Sequence, residues 1–245
     1  MLNNFLADLH IHTCLSPCAD IDMSPRRIID KAVETGLDII AVTDHNSCEN
    51  IEVAARLAEA SGITLLSGLE ITSYEEVHIL ALFNDTGSAL QMQDIVYRSL
   101  PEGENDERLY GHQLVVNEAD EILGFNRRLL ITATTMNASN IVNTIRSLGG
   151  LSIASHIDRE TFSVISQLGF IPEDLSFDAL EISALMSKER AAGIFQGLSK
   201  FPWVSFSDAH RIEDIGKRST IFRMRERSFE GIAHALKNRE DITWC

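Results

Sequence analysis

The stretch Leu37–Val42 ends in four consecutive apolar residues, Ile-Ile-Ala-Val. A strand with one face in water alternates apolar and polar side chains, whereas an unbroken apolar run is typical of a strand covered on both faces, as in a parallel sheet. A polar cluster, Thr43–Asn46, follows immediately. The stretch therefore predicts a parallel sheet whose strands end in polar residues.

Strand-like and helix-like segments alternate along most of the chain. Strands are predicted at Phe5–Thr13, Leu37–Val42, Ile63–Leu69, Val77–Phe83, Leu151–Ser155, Phe177–Ile182 and Trp203–Phe206. Helices are predicted at Arg26–Thr35, Glu49–Ser61, Ser139–Leu148, Glu160–Leu168, Lys188–Leu198 and Phe229–Lys237. This alternation predicts an α/β fold built on a parallel sheet or barrel. No domain boundary is visible, so residues 1–245 are expected to form a single domain.

The alternation is interrupted between residues 84 and 135. This stretch contains a predicted helix, Ala89–Leu100, and two short strands, Gln113–Val116 and Glu121–Phe125, which are spaced as a hairpin. It is too long for an ordinary connection and is interpreted as an insertion that could act as a lid.

Composition restricts the classes of partner. The net charge is −15, from 36 acidic and 21 basic residues, which predicts that duplex nucleic acid is not bound. No apolar run resembles a membrane span and no secretory signal is visible, so a cytoplasmic protein without a membrane partner is expected. Four cysteines (Cys14, Cys18, Cys48 and Cys245) do not resemble a disulfide framework.

The first predicted strand contains Asp8-Leu9-His10-Ile11-His12. Alternate side chains of a strand share a face, so His10 and His12 can bind one cation, and Asp8 could accept the second ring N–H of one of them. The alternative is a strand whose histidines only form hydrogen bonds.

Further potential ligands occur at the ends of other predicted strands. The full set is His10, His12, His45, Glu70, His78, His156, Asp208 and His210. It includes six of the eight histidines in the chain, and the carboxyl ends of barrel strands meet in one place. More ligands are present than one tetrahedral ion needs, which predicts a cluster of two or three metals. A metal-free, histidine-rich pocket is the alternative.

In this order the motifs resemble those of the PHP (polymerase and histidinol phosphatase) superfamily. They are Asp-Leu-His-Ile-His-Thr at 8–13, Thr-Asp-His at 43–45, Gly-Leu-Glu at 68–70, His78, Ser-His at 155–156 and Ser-Asp-Ala-His at 207–210. The resemblance implies a distorted TIM-like (β/α)7 barrel, a trinuclear metal site and phosphoesterase chemistry.

The resemblance also implies how the ligands are divided. The first metal would be bound by His10, His12, Glu70 and Asp208. The second would share Glu70 and add His78 and His156. Zinc, manganese and iron are all compatible with nitrogen and oxygen ligands.

The third metal would be bound by His45, His210 and a carboxylate soon after the first motif. The chain departs from the commoner family pattern here, because Pro17-Cys18-Ala19 separates Ser16 from the next aspartate. Asp20 is the preferred ligand, ahead of Asp22 and Cys18.

Three further residues are candidates for contacts with substrate. Arg159 and Arg211 directly follow ligand-bearing segments and could each bind a phosphate; the alternative for both is a salt bridge to a loop carboxylate. His112, in the insertion, could face the substrate or act as a general acid, but could also be an ordinary exposed loop residue.

These features predict a metal-dependent phosphoesterase that uses a metal-activated hydroxide on a small phosphate ester or short nucleotide. The metals would act through His10, His12, Glu70, His156 and Asp208. One alternative is a non-catalytic, metal-bound module with a structural or assembly role. A less favoured one is an amidohydrolase, which usually bridges its metals with a carboxylated lysine; no lysine here lies at a predicted strand end.

Overall fold

The computed structural model describes residues 1–244. Its strands are β1 (Asn3–Ile11), β2 (Ile39–Val42), β3 (Thr64–Thr72), β4 (His78–Phe83), β5 (Leu114–Val116), β6 (Ile122–Phe125), β7 (Leu151–Ala154), β8 (Ala179–Glu181), β9 (Trp203–Val204), β10 (Thr220–Met224) and β11 (Ile242–Trp244). Its α-helices are α1 (Pro25–Glu34), α2 (Ile51–Ser61), α3 (Thr86–Ser99), α4 (Glu107–Tyr110), α5 (Ala138–Ser147), α6 (Val164–Leu168), α7 (Lys188–Ile194) and α8 (Phe229–Lys237).

Nine of these strands form one sheet, in the order β11-β10-β1-β2-β3-β4-β7-β8-β9. The chain beyond β9 returns to β1, where the His12 N–H donates to the Ala209 carbonyl at 3.0 Å. Seven strands, β1 to β4 and β7 to β9, therefore form a nearly closed barrel. This confirms the predicted α/β fold and the distorted TIM-like barrel.

The barrel interior is apolar below the strand ends. One buried cluster takes side chains from all seven barrel strands, including Leu9, Ala41, Leu66, Leu80 and Ile153. Burial of such side chains is the main favourable contribution to folding. This cluster fills the barrel and supports the polar residues at its carboxyl-terminal end.

The predicted strand at Val77–Phe83 is present as β4, but the sheet is not parallel throughout, contrary to what the alternation of strands and helices indicated. Strand β4 pairs antiparallel with both β3 and β7, with Thr72 opposite His78. Only residues 73–77 separate β3 from β4, and a parallel pair needs a crossover of about a dozen residues or more. His78, at the start of β4, therefore lies at the barrel end where the other strands finish.

Strands β10 and β11 were not predicted. Strand β10 pairs antiparallel with the first half of β1, with Asn3 opposite Met224, and β11 extends the sheet beyond it. The side chains of Phe222 and Met224 are buried while Arg223 is exposed, so β10 has the alternation of a strand covered on one face only.

The insertion contains the predicted hairpin, β5 and β6, which packs beside the loop that follows β1. The Leu114 N–H donates to the Cys14 carbonyl at 2.8 Å. The Asn50 side-chain amide joins the same region, because it donates to the Leu114 carbonyl at 3.0 Å and accepts from the Val116 N–H at 3.1 Å.

No helix within residues 1–244 has the length and apolar character needed to cross a membrane. Cys14, Cys18 and Cys48 form no disulfide, and Cys245 lies outside the described residues.

Candidate metal centre

The strand-end residues predicted as ligands converge at one end of the barrel. Those in or beside β1 to β4 are His10, His12, His45, Glu70 and His78, and the loops after β7 and β9 add His156, Asp208 and His210. All except Asp208 and His210 are buried residues, and the His210 side chain is 29% exposed. The spatial convergence that the sequence indicated is present.

Glu70 lies at the centre of this convergence. Five histidine nitrogens are within 3.5 Å of its carboxylate: Nδ1 of His78 (3.1 Å), Nδ1 of His45 (3.2 Å), Nε2 of His10 (3.4 Å), Nε2 of His156 (3.4 Å) and Nε2 of His12 (3.5 Å). Burial alone would raise the pKa of Glu70, but the neighbouring histidines, His78 first, lower the pKa well below its usual value. Glu70 is therefore a buried carboxylate with potential ligand nitrogens beside both of its oxygens.

The tautomers of His10 and His12 follow from their hydrogen bonds. His10 Nδ1 donates to the Glu181 carboxylate, with N–O distances of 3.0 and 3.1 Å. His12 Nδ1 donates to Ser16 Oγ at 2.9 Å, because that hydroxyl already donates its own proton to Asp44. In its neutral form, each ring then carries its free lone pair on Nε2.

These two lone pairs converge on one point. The Nε2 atoms of His10 and His12 are 3.2 Å apart, and Asp208 Oδ1 lies 3.2 Å from the first and 3.3 Å from the second. Two lone pairs and a carboxylate oxygen repel each other unless a proton or a metal ion lies among them. The donor set therefore fits a metal ion.

Three groups have potential ligand atoms within 4.8 Å of one another: His10 with His12 and Asp208, His45 with Glu70 and His78, and His12 with His45 and His210. Several buried side-chain atoms in residues 1–244 form no hydrogen bond of suitable geometry, including Nδ1 of His45, His78 and His156 and Oε1 of Glu70. Native proteins rarely leave buried polar atoms unpaired, and metal binding would satisfy them. The clusters can therefore hold several metal ions.

Glu181 supports this centre and was not predicted to have a role. It is fully buried in β8, and Oε2 also accepts the backbone N–H of His156 at 3.1 Å. One carboxylate thus fixes the ring of one potential ligand and the backbone of another. The available signal was an acidic residue flanked by Leu180 and Ile182 in a predicted strand, since acids are almost never fully buried without a partner.

The expectation that Asp8 orients a ligand histidine is wrong. Its Oδ1 accepts the Ser207 N–H at 3.0 Å and its Oδ2 accepts the Gly216 N–H at 3.0 Å. The pairing of β1 with β2 shifts register between Asp8 and Ile11, which interrupts the alternation on which the expectation rested. Asp8 instead anchors the loop that carries Asp208 and His210.

Two potential ligands adopt an uncommon backbone conformation. The φ angles of His156 and Asp208 are +30° and +51°. Positive φ is uncommon for residues other than glycine and is concentrated at functional sites. The short turns after β7 and β9 hold both residues in this conformation, which is compatible with a site where geometry matters more than local stability.

None of the candidates for the last ligand of the third metal belongs to the three groups. The Asp20 side chain is 58% exposed and lies 3.7 Å from Arg211 Nε, while Asp22 lies 2.5 Å from Arg27 Nη1. Cys18 is an exposed residue. The assignment of Asp20 stays a prediction.

Of the three residues proposed to contact substrate, only Arg159 contacts a residue of the centre within residues 1–244. Arg159 Nη2 is 2.5 Å from Asp208 Oδ2, so its positive charge lies against the cluster. His112 is exposed and 3.2 Å from Glu107, but the preceding Gly111 packs against Pro17: a Cβ at position 111 would lie 2.3 Å from the Pro17 carbonyl oxygen. His112 therefore lies beside the loop that follows β1. Arg211 is mostly exposed.

Comparison with known families agrees with this geometry. Residues 8–159 match the family model of the PHP domain, a segment that includes six of the eight convergent residues. The chain belongs to the PHP domain family. Residues 192–240 also match the model of a PHP-associated region.

The names of individual relatives of this PHP protein describe enzymes that act on phosphate esters. It is 27% identical over 88 residues to phosphoribosyl 1,2-cyclic phosphate 1,2-diphosphodiesterase of Eggerthella lenta, covering 34% of this chain and 32% of that enzyme. It is 26% identical over 188 residues to a 5'-3' exoribonuclease of Haemophilus influenzae, covering 61% and 68% of the two chains. The chain thus spans about a third of the first relative.

The fold is similar to that of endonuclease Q in complex with a 27-mer duplex containing an abasic lesion. The TM-score is 0.72 at 17% identity, and the match covers 96% of this chain and 57% of that chain. The expectation that duplex nucleic acid is excluded is therefore wrong. Net charge describes the whole surface, whereas a nucleic-acid contact depends on the charge next to the site.

Replacing Glu181 with glutamine is expected to weaken metal binding by about 10- to 100-fold, the usual effect of removing a carboxylate that orients a ligand histidine. A titration with a competing chelator measures this affinity. Glu189→Gln, on exposed α7, is the matched control and should bind metal as the wild type does. Unchanged affinity in Glu181→Gln would contradict the orienting role.

Proposed function

We propose that this PHP protein is a metal-dependent phosphoesterase that hydrolyses a small phosphate ester or a short nucleotide. The observation that carries the proposal is the convergence of five histidine nitrogens on the Glu70 carboxylate, beside a second convergence of His10, His12 and Asp208. The names of the family relatives support phosphoester chemistry.

The residues of the chain would divide the work as follows. Bound divalent metals would polarise a phosphoryl oxygen and acidify the attacking water. Glu70 would bridge two metals, and His10, His12, His156 and Asp208 would complete their coordination. Glu181 would keep the His10 lone pair directed at the metal.

Residues outside the metal shell would bind the substrate. Arg159 already lies beside Asp208 with its side chain 39% exposed, so its guanidinium can neutralise a phosphate oxygen at the mouth of the site. His112 is proposed as a residue that faces the substrate, since its loop packs beside the loop that follows β1.

The metals are proposed to be two or three ions of zinc, manganese or iron. Imidazole nitrogens predominate among the potential ligands, and such sites suit these metals better than magnesium, which prefers oxygen ligands. Asp20, together with His45 and His210, is proposed to bind the third metal. A bridging carboxylated lysine has no candidate, because none of the five lysines is buried.

The test is a rate comparison on mononucleotides, short oligonucleotides, sugar phosphates and duplex DNA with and without an abasic site. We expect hydrolysis by the wild type and its loss in His156→Ala. The matched control is His234→Ala, at an exposed position on α8, which should retain the wild-type rate. Equal rates in the wild type and His156→Ala would indicate a contaminating enzyme. No hydrolysis of any substrate would contradict the proposal.

A further inference from the structure

The loop between β7 and α6 brings three different chemical groups to the metal centre. His156 lies 3.4 Å from Glu70, Arg159 lies 2.5 Å from Asp208, and Phe162 contacts His78. A potential metal ligand, a cation and an aromatic ring thus occur within seven residues. Metal ligands and a cation both favour the binding of a phosphate. Phosphate binding does not require the aromatic ring.

Phe162 is held in a conformation that bulky residues rarely adopt. Its φ angle is +60°, in the left-handed region. Hydrogen bonds on both sides fix this geometry: the Phe162 carbonyl accepts the His78 N–H at 2.9 Å, and Ser163 Oγ donates to the Arg159 carbonyl at 2.8 Å. Strained residues persist where the surrounding structure over-determines them, often at ligand-binding positions.

The ring of Phe162 is stacked and exposed at the same time. It lies nearly parallel to the ring of His78, with centroids 4.6 Å apart and an interplanar angle of 18°. His78 is buried, whereas Phe162 is 40% exposed. The partly exposed ring of Phe162 thus stacks on His78, and His78 in turn contacts Glu70. A planar ligand group could extend this stack.

We propose that Phe162 is a specificity-determining residue that stacks on the base of a nucleotide substrate while the phosphate lies at the metal centre near Arg159. This inference rests on the proposed function and narrows its substrate class from phosphate esters in general to nucleotides. Stacking on an aromatic side chain tolerates every base, so selectivity for the presence of a base is expected without selectivity among bases.

Binding tests the proposal independently of turnover. Two phosphonates, whose carbon–phosphorus bonds resist hydrolysis, are titrated calorimetrically into metal-loaded protein: a nucleoside 5'-phosphonate and ethylphosphonate, which has no base. Phe162→Leu should weaken binding of the nucleoside phosphonate about tenfold, the order expected for one stacking contact, and leave ethylphosphonate unchanged. Phe162→Trp should keep the wild-type affinity for both. Phe170→Leu, at a position that is 65% exposed, is the matched control.

The outcomes separate this proposal from its alternatives. An equal loss for both phosphonates, or weaker metal binding in Phe162→Leu, would mean that Phe162 only positions His78 and would overturn the proposal. Unchanged binding in Phe162→Leu, or no preference of the wild type for the nucleoside phosphonate, would overturn it as well. Base-dependent binding together with an absence of hydrolysis would support this proposal while contradicting the proposed phosphoesterase function.

Discussion

Replacing Glu70 with glutamine is expected to lower the hydrolytic rate by about three orders of magnitude, equivalent to about 4 kcal/mol of transition-state stabilisation. The substitution keeps the shape of the side chain but removes its charge. It also introduces an amide NH2 group among five histidine nitrogens that are within 3.5 Å. Bridging two metals through one residue would then fail, and we expect the metal content to fall by at least one ion per chain.

Elemental analysis and steady-state kinetics on the same preparations measure both effects. Glu52→Gln, on the exposed face of α2, removes the same charge away from the barrel end and should change neither quantity. Full metal content with full activity in Glu70→Gln would show that the central carboxylate does not act as a bridge.

Removal of metal is expected to destabilise the folded protein strongly. A ligand that binds only the folded state at about 1,000 times its dissociation constant stabilises that state by about 4 kcal/mol. For a chain of this size that corresponds to a rise of about 10 °C in Tm. The buried carboxylates and converging lone pairs described above provide the reason, because without a cation they oppose folding.

Thermal unfolding of chelator-treated protein, with and without added zinc or manganese, measures the shift. Magnesium at the same concentration is the control and should give a much smaller rise, because the potential ligands are mostly imidazoles. An identical Tm in chelator, zinc and manganese would mean that the histidine cluster is stable without metal and would contradict the metal centre.

Much of this architecture follows from local sequence patterns. Helix α8 occupies Phe229–Lys237, the predicted range, and α1 begins at Pro25, after the N-cap Ser24 and one residue before the predicted start at Arg26. The set of potential ligands could be predicted because histidines are uncommon and are concentrated at the predicted strand ends. Local sequence patterns were sufficient for features that depend on a single segment of the chain.

Features that depend on partners distant in sequence were harder to predict. The apolar run of β4 is the same for either strand direction, and only the short connection after Thr72 indicated an antiparallel pair. Strand β10 has a polar side and lacks the continuous run that marked the others. Glu181 lies 171 positions from His10, so no spacing rule connects them.

The reversed direction of β4 restricts how this barrel can diversify. At β1, β7 and β9, the potential ligands lie in the strand or in the turn that directly follows it, and the chain beyond that turn can change length without moving them. His78 is instead preceded by a turn closed by the hydrogen bond from the Ser73 N–H to the Val77 carbonyl at 2.9 Å. We expect inserted residues to be tolerated in the loops after β1, β7 and β9, beyond the turns that hold the potential ligands, but not between β3 and β4. New substrate preferences can therefore evolve through the loops after β1, β7 and β9, whereas the turn between β3 and β4 is constrained.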